Sequence, residues 1–184
     1  HPAGWEGLRY GSFGSPFERP TIEALMACDG ADADRVEWIE TGFTDPLSLL
    51  QQGQIDLAWI FYGWQGVQAE QLGVDLDLGM MEDALDCIPA YYTPVLIASE
   101  TTLSERPGLV RAFLSAASRG YDFAAENPDE AADILLAAAP ELDPGIVRTS
   151  QHWLSPRYRA AAPRWREPTA DRWKAYAHWM TSRG

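Results

Sequence analysis

Basic residues are scarce in this 184-residue chain, which has 14 Lys plus Arg against 27 Asp plus Glu and a net charge of −13. So acidic a chain lacks the positive surface of a protein that binds a nucleic-acid backbone. Long apolar runs are also absent, and none approaches the roughly 20 residues that a transmembrane helix needs. The sequence therefore excludes nucleic acid as a partner and predicts no transmembrane segment in this chain.

The shortage of basic residues is concentrated in the first half of the chain. Residues 1–92 contain 3 basic and 16 acidic residues, whereas residues 93–184 contain 11 of each. All of the net negative charge therefore lies in the first half. Such an asymmetry predicts two regions with different surroundings.

Cysteine is nearly absent, since only Cys28 and Cys87 are present. These two cysteines cannot form a disulfide framework, a zinc knuckle or a redox Cys-x-x-Cys pair. A single bridge in an oxidising compartment is one interpretation. Two buried free thiols are the favoured one, because unpaired cysteine packs as a small apolar residue.

Catalytic motifs are missing as well. The sequence contains no GxSxG elbow, HExxH pair, Walker A loop or GxGxxG fingerprint. The histidines His1, His152 and His178 have no accompanying nucleophile or ligand cluster, and no acidic group has the spacing of a calcium loop. We therefore predict no catalytic residue, no metal site, no cofactor and no enzymatic activity.

Short extended runs alternate with helical patterns in the first half of the chain. Strands are predicted at 8–11, 36–40, 55–60, about 74–81 and 91–98, and helices at 21–26, about 46–52 and 64–72. Asp45-Pro46 is typical of a helix start. Strand–helix alternation with short connections predicts a mainly parallel α/β sheet.

Helical patterns dominate the rest of the chain after residue 98. Asn127-Pro128 and Asp143-Pro144 have the form of helix N-caps, and a last helix is predicted over about 169–180. The helix that follows Pro107 has Leu109 and Phe113 on its apolar side. These helices have no remaining strands on which to pack.

Aromatic residues cluster where the strand predicted at 55–60 ends, in the run Trp59-Ile60-Phe61-Tyr62-Gly63-Trp64. The carboxyl ends of parallel strands face the ligand crevice of an α/β sheet. Phe61 and Trp64 are predicted to stack on a flat heterocycle, and Tyr62 and Gln65 to orient it by hydrogen bonds. The alternative is that Trp59 and Phe61 belong to the core.

Two further segments are candidates for ligand contacts. The loop Ser12-Phe13-Gly14-Ser15 follows the first predicted strand, and its backbone N–H groups are placed to meet a polar or anionic group. Tight packing is the alternative for this loop. Tyr91, at the start of the last predicted strand, is the third candidate, with packing at the edge of the sheet as its alternative.

Three segments resemble a known protein family: 7–18 (GLRYGSFGSPFE), 53–65 (GQIDLAWIFYGWQ) and 86–99 (DCIPAYYTPVLIAS). They are similar to bacterial substrate-binding proteins for thiamine-pyrimidine precursors. The same superfamily includes the thiamine-pyrimidine synthases and the alkanesulfonate, taurine and nitrate binders. Residues 106–132 resemble the helical part that follows in all of them.

The resemblance implies an α/β fold of the periplasmic-binding-protein type II, which has two lobes. Residues 1–90 would form the second, inserted α/β lobe, residues 91–99 the return or hinge strand, and residues 100–184 the C-terminal helices of lobe one. The opening strands of lobe one would then precede His1. This arrangement would explain why the C-terminal helices lack strands to pack on.

The resemblance also implies a function and a set of contacts. The protein would be the extracytoplasmic solute-binding component of an ABC importer, periplasmic or lipid-anchored, and would deliver a pyrimidine precursor of thiamine to the transporter permease. The family's glycine-rich loop matches Ser12, Phe13, Gly14 and Ser15, and its aromatic and polar contacts match Phe61, Tyr62, Trp64 and Gln65.

Other solutes remain as alternatives, and so do two other classes of protein: an enzyme, and the sensory ligand-binding lobe of a larger signalling protein. A riboflavin-like flavin, an alkanesulfonate, taurine or nitrate could be the ligand, although the anions call for a cationic contact and residues 1–92 offer only Arg9, Arg19 and Arg35. A thiamine-pyrimidine synthase-like enzyme is the alternative activity.

Overall fold

A computed structural model describes residues 1–158 and 169–183. They fall into two compact units: the first contains residues 1–61, 75–91 and 169–183, and the second contains residues 62–74 and 92–158. These units do not coincide with the predicted ranges 1–90, 91–99 and 100–184. Part of the last range, 159–168, lies outside the described residues.

The described residues form three strands and eight α-helices, so the protein is mixed α/β but mostly helical. The strands are β1 (Arg9–Ser12), β2 (Glu37–Glu40) and β3 (Leu57–Ala58). The helices are α1 (Glu18–Cys28), α2 (Pro46–Gln51), α3 (Val67–Leu72), α4 (Glu100–Glu105), α5 (Pro107–Glu126), α6 (Pro128–Ala138), α7 (Pro144–Leu154) and α8 (Ala170–Thr181).

A small parallel sheet with the order β2-β1-β3 lies in the first unit. Tyr10 of the central strand is in register with Trp38 on one side and with Leu57 on the other. The prediction of a parallel sheet is confirmed. The strand predicted at 55–60 is only two residues long, because its pairing with β1 ends at Ala58.

Two predicted strands are not strands in the structure. Residues 74–80 are irregular and lead into a 3₁₀ turn at Met81–Ala84, and residues 91–98 form no ladder. An apolar run becomes a strand only where another strand offers paired N–H and C=O groups, and Pro94 has no N–H to donate. Neither segment finds such a neighbour among the described residues.

The core of the first unit packs α1 against the sheet. Tyr10 from β1 and Met26 from α1 are fully buried, and Ile88 closes the core from the segment after the 3₁₀ turn. The other buried members of this cluster are Ile22, Ala24, Leu25 and Val36.

Cys28 and Cys87 form a disulfide in the first unit, so the favoured prediction of two buried free thiols was wrong. Cys28 is exposed at the end of α1, and the burial of Ile88 brings the neighbouring Cys87 to it with a Cα–Cα separation of 5.8 Å. That separation lies within the range that a disulfide spans. The pairing depends on tertiary packing, which spacing in the sequence cannot reveal.

An ion pair joins Arg9 of β1 to Asp56, the residue that precedes β3. The guanidinium of Arg9 donates to both carboxylate oxygens of Asp56 at 2.9 and 2.8 Å, and the backbone N–H of Arg9 donates to the same carboxylate at 2.9 Å. These hydrogen bonds from Arg9 lower the pKa of Asp56 from 3.8 to about 2. The charged form of Asp56 is therefore the form that the fold favours.

We expect the Asp56–Arg9 pair to contribute to the pH dependence of stability. Because the pKa of Asp56 is lower in the folded state, its contribution is present above about pH 4 and is lost as the pH falls toward 2. Asp56→Asn should lower the urea midpoint at pH 7 and should reduce its decline between pH 4 and 2. Glu23→Gln, which removes an exposed pair with Arg19 on α1, is the control. An unchanged decline in Asp56→Asn would contradict this role.

The second unit is helical and has a small core. Asp143 caps α7 as predicted, since its side chain accepts from the N–H of Ile146, and Val147 of the same helix is fully buried. The long helix α5 contains no fully buried residue, and the apolar side predicted for it is exposed at Leu109 and Phe113. No helix in the described ranges is long and apolar enough to cross a membrane.

Candidate ligand-binding site

The three strands of the first unit end at one edge of the sheet, because they are parallel. An aromatic residue follows each strand: Phe13 after β1, Phe43 after β2, and Trp59 and Phe61 after β3. Phe43 and Phe61 are 97% and 64% exposed. Phe43 was not among the predicted contact residues, although it follows a predicted strand in the same way as Trp59.

Trp59 packs inward while Phe61 is exposed. The ring of Trp59 meets the rings of Phe13 and Phe17 edge to face, with centroid distances of 6.3 and 5.7 Å, and it packs against the core of the first unit. Core packing was the alternative for both residues; residues 59–61 lie outside the strand, and only Trp59 packs against the core. Phe61 is exposed at this edge of the sheet.

The loop after β1 surrounds the carboxylate of Glu18, the first residue of α1. Ser12 Oγ donates to Glu18 at 2.9 Å, the backbone N–H of Phe13 at 3.3 Å and the backbone N–H of Gly14 at 3.2 Å. Gly14 has a φ of +83°, a backbone conformation that favours glycine. The loop N–H groups predicted to meet a ligand are thus hydrogen-bonded to a side chain of the same protein.

Tyr62, Trp64 and Gln65 lie in a π-helical turn, Tyr62–Gly66, of the second unit. The Tyr62 ring lies 4.8 Å from that of Trp153, and its hydroxyl donates to Glu70. That hydrogen bond raises the pKa of Tyr62, so the phenol stays protonated.

The other two predicted contacts in this turn differ in burial. Trp64 is 38% exposed and Gln65 is half-buried. A Cβ at Gly66 would lie 2.6 Å from the Tyr62 ring, so this position accepts only glycine without displacing that ring. Glycine at 66 therefore leaves room for the Tyr62 ring against the turn.

Tyr91 lies in the first unit and is packed among aromatic rings of α8. Its ring stacks on Tyr176 at 4.7 Å, and Tyr176 stacks in turn on Trp179 at 5.6 Å. Burial raises the pKa of Tyr91. The residue does not belong to a strand, and these contacts give it a packing role.

No metal centre is evident in the described part of the chain. Among residues 1–158 and 169–183, no three His, Cys, Asp or Glu side chains are grouped so that they could hold an ion.

Comparison with known families accounts for most of the chain. Residues 1–131 match the family described as NMT1/THI5 like. The chain belongs to that family. The family resemblance noted in the sequence is thereby confirmed.

The chain is similar in sequence to three named proteins. It is 28% identical over 147 residues to a formylaminopyrimidine-binding protein of Halalkalibacterium halodurans, covering 80% of this chain and 44% of that protein. It is 30% identical over 135 residues to the riboflavin-binding protein RibY of Chloroflexus aurantiacus, and the match covers 73% of this chain and 36% of that protein.

The third relative is named as an enzyme. The 4-amino-5-hydroxymethyl-2-methylpyrimidine phosphate synthase of Legionella pneumophila is 30% identical over 138 residues, covering 74% of this chain and 42% of that protein. The matched region thus spans less than half the length of each of these relatives.

Proposed function

We propose that this chain acts in an extracytoplasmic solute-binding protein of an ABC importer, which binds a small aromatic pyrimidine precursor of thiamine. The observation that carries the proposal is the exposed ring of Phe61, at the carboxyl edge of a parallel sheet in a member of this family. Flat rings favour flat heterocycles, since stacking adds about 0.5–1.5 kcal/mol to the burial of apolar area. Trp64 is the second proposed stacking residue, on the basis of the sequence and its partial exposure.

The names of the relatives support a heterocyclic ligand. Two of them are named for binding a formylaminopyrimidine and riboflavin, and the third for making a pyrimidine phosphate. All three compounds contain a flat, nitrogen-bearing ring. A pyrimidine is therefore the proposed ligand, and a flavin is the second candidate.

The disulfide supports the proposed compartment. Bonds such as Cys28–Cys87 persist in oxidising environments and are rare where thiols are kept reduced. An extracytoplasmic location, with the permease of an importer as partner, agrees with this bond. Whether the protein carries a lipid anchor is a separate part of the proposal, to be tested by metabolic labelling with a fatty acid.

The lobe assignment also remains a proposal, with residues 1–90 as one lobe and the helices after residue 99 as part of another. Supporting it are exposed apolar residues in the second unit, which are the kind of surface that further polypeptide covers. They are Val95, Leu96, Ile97, Leu103, Leu109, Phe113, Ile134 and Leu135.

Phe61→Ala is the first test of the proposed ligand contacts. Titration calorimetry with aminopyrimidines, hydroxymethylpyrimidines and riboflavin should show one solute bound by the wild type. The variant should bind that solute more weakly by about 1–3 kcal/mol, the loss typical of a base-stacking ring. Phe113→Ala, which removes a ring of similar exposure from α5, should leave binding unchanged.

The same titration is to be repeated with the complete product of the reading frame that encodes this chain. The proposed function would be contradicted if neither this chain nor the complete product gave heat or a thermal shift with any member of the panel. Equal affinity of Phe61→Ala and wild type would contradict only the role of Phe61.

A synthase-like activity is the second candidate function, and the similarity to the Legionella enzyme favours it. It is distinguished by incubating the protein with iron and with candidate precursors and by analysing the mixture for a pyrimidine phosphate. Product formation would favour the enzyme, whereas reversible binding without product would favour the solute-binding role.

A further inference from the structure

Glu18 is the one fully buried charged side chain among the described residues. A carboxylate without water is stable only where donors replace its hydration. The hydroxyl of Tyr10 donates to Glu18 at 3.0 Å. The Ser12 hydroxyl and the two loop N–H groups are the other three donors. Four hydrogen bonds therefore converge on one carboxylate.

This set of donors is the kind that binds an anion. Successive backbone N–H groups of a glycine-bearing loop form a concave anion site, and the first turn of a helix adds its own positive potential. Here the loop is Ser12–Gly14 and the helix is α1, which begins at Glu18 itself. The position that a bound anion would take is occupied by a carboxylate of the same chain.

The surroundings of the loop are negative as well. A Cβ at Gly14 would lie 2.9 Å from Oε1 of Glu40, so a second carboxylate reaches the outer side of the loop. Glu40 is exposed at the end of β2. An anionic group approaching Gly14 from solvent would meet this charge.

No arginine of residues 1–92 is available to offset that charge. Arg9 pairs with Asp56, Arg19 with Glu23 and Arg35 with Glu6. Each guanidinium is thus already opposed by a carboxylate of the first unit. An anionic solute would gain no cationic contact here without the loss of an existing ion pair.

We infer that Glu18 is an internal anion which fills the glycine-rich loop, and that the loop thereby selects a neutral or cationic part of the solute and rejects nitrate, sulfonates and phosphorylated pyrimidines. Glu18 is a positioning residue, because it fixes the loop and sets its charge without touching the solute. The inference rests on the proposed function for the identity of the solute, but the anion site itself is independent of it.

Replacing Glu18 with alanine tests the internal anion directly. Glu18→Ala removes the carboxylate and leaves its four donors, so formate or nitrate should enter the vacated place. In this variant each tenfold increase of formate above its dissociation constant should raise the melting temperature by about 3–5 °C, with ionic strength held constant by chloride. If the variant is unfolded without the anion, formate should restore its circular dichroism.

Wild type and Glu23→Ala are the matched controls. Glu23 lies on the same helix and pairs only with Arg19 at the surface, so neither protein should respond to formate. Equal responses in wild type and Glu18→Ala would overturn the inference. So would the absence of any formate effect on folding or melting in Glu18→Ala.

A second variant separates this inference from the proposed function. Glu18→Gln keeps the size of the side chain and removes its charge, so the preference for a neutral pyrimidine over its phosphorylated form should fall at least about fivefold. An unchanged preference would overturn the inference and leave the proposed function standing. If wild type binds no pyrimidine, the proposed function fails, and the formate experiment still decides the role of Glu18.

Discussion

Loss of the Cys28–Cys87 disulfide is expected to lower the free energy of unfolding by about 4 kcal/mol. The bond joins residues 59 positions apart, and closing a loop of that length removes much of the conformational entropy of the unfolded chain. Urea unfolding of the wild type, with and without dithiothreitol, should show this difference as a shift of the midpoint. The double variant Cys28→Ser/Cys87→Ser should behave as the reduced wild type does.

The double variant also provides the control for this experiment. Dithiothreitol should not change its midpoint, because it has no bond to reduce. If reduction leaves the midpoint of the wild type unchanged, the bond does not contribute to stability and its support for an oxidising compartment is weakened. A midpoint of the double variant equal to that of the oxidised wild type would lead to the same conclusion.

Local signals in the sequence predicted most of the helices correctly. Asp45-Pro46 and Asp143-Pro144 each place a carboxylate acceptor at the N-cap and a proline at the first helical position. Both capping hydrogen bonds are present. Such signals depend on neighbours within one turn, which a sequence shows directly. The short strands β1 and β2 were found for the same reason.

Predictions that required a distant partner were the ones that failed. Residues 74–81 and 91–98 have the composition of strands, but a strand also needs a neighbour, and the sheet ends at β2 and β3. The pairing of Cys28 with Cys87 depends on how Ile88 packs into the core. Neither condition can be read from spacing along the chain.

The ligand contacts stay predictions, and the hydrogen bonding and charge of the loop after β1 were not predicted from the sequence. The loop Ser12–Ser15 and the aromatic run that includes Phe61 were found because turns and aromatic residues follow strands. Glu18 was missed, because most glutamates are exposed and nothing local marks this one as buried. Its burial follows from the way α1 packs against β1, which brings the hydroxyl of Tyr10 to it.

Helix α1 connects the two parts of the first unit that matter most for the proposals. Its first residue, Glu18, accepts three hydrogen bonds from the glycine-rich loop and a fourth from Tyr10, and its last residue, Cys28, is bonded to Cys87. Between them, Met26 is fully buried. The helix is therefore held at both ends, and its first residue helps to position the loop.

Tyr10→Ala is expected to have the second large effect, a loss of about 3–5 kcal/mol in the free energy of unfolding. Tyr10 is 2% exposed, its ring lies 4.9 Å from that of Trp38, and its hydroxyl supports Glu18. Tyr10→Phe is the matched control, since it keeps the ring and removes one donor to a buried charge. It should cost about 1.5–3 kcal/mol, measured by urea unfolding at pH 7.

The pH dependence of the unfolding free energy, compared between wild type and Tyr10→Phe, distinguishes the contribution of the Tyr10 hydroxyl from that of its ring. Burial raises the pKa of Tyr10, and the nearby charge of Glu18 is the next cause. The folded state therefore keeps the phenol protonated, whereas the unfolded state releases its proton near pH 10. The contribution of the hydroxyl is therefore complete below pH 10 and declines above it. The difference in unfolding free energy between wild type and Tyr10→Phe should shrink as the pH rises from 9 to 11, and a constant difference would show that Tyr10 does not hold its proton for Glu18.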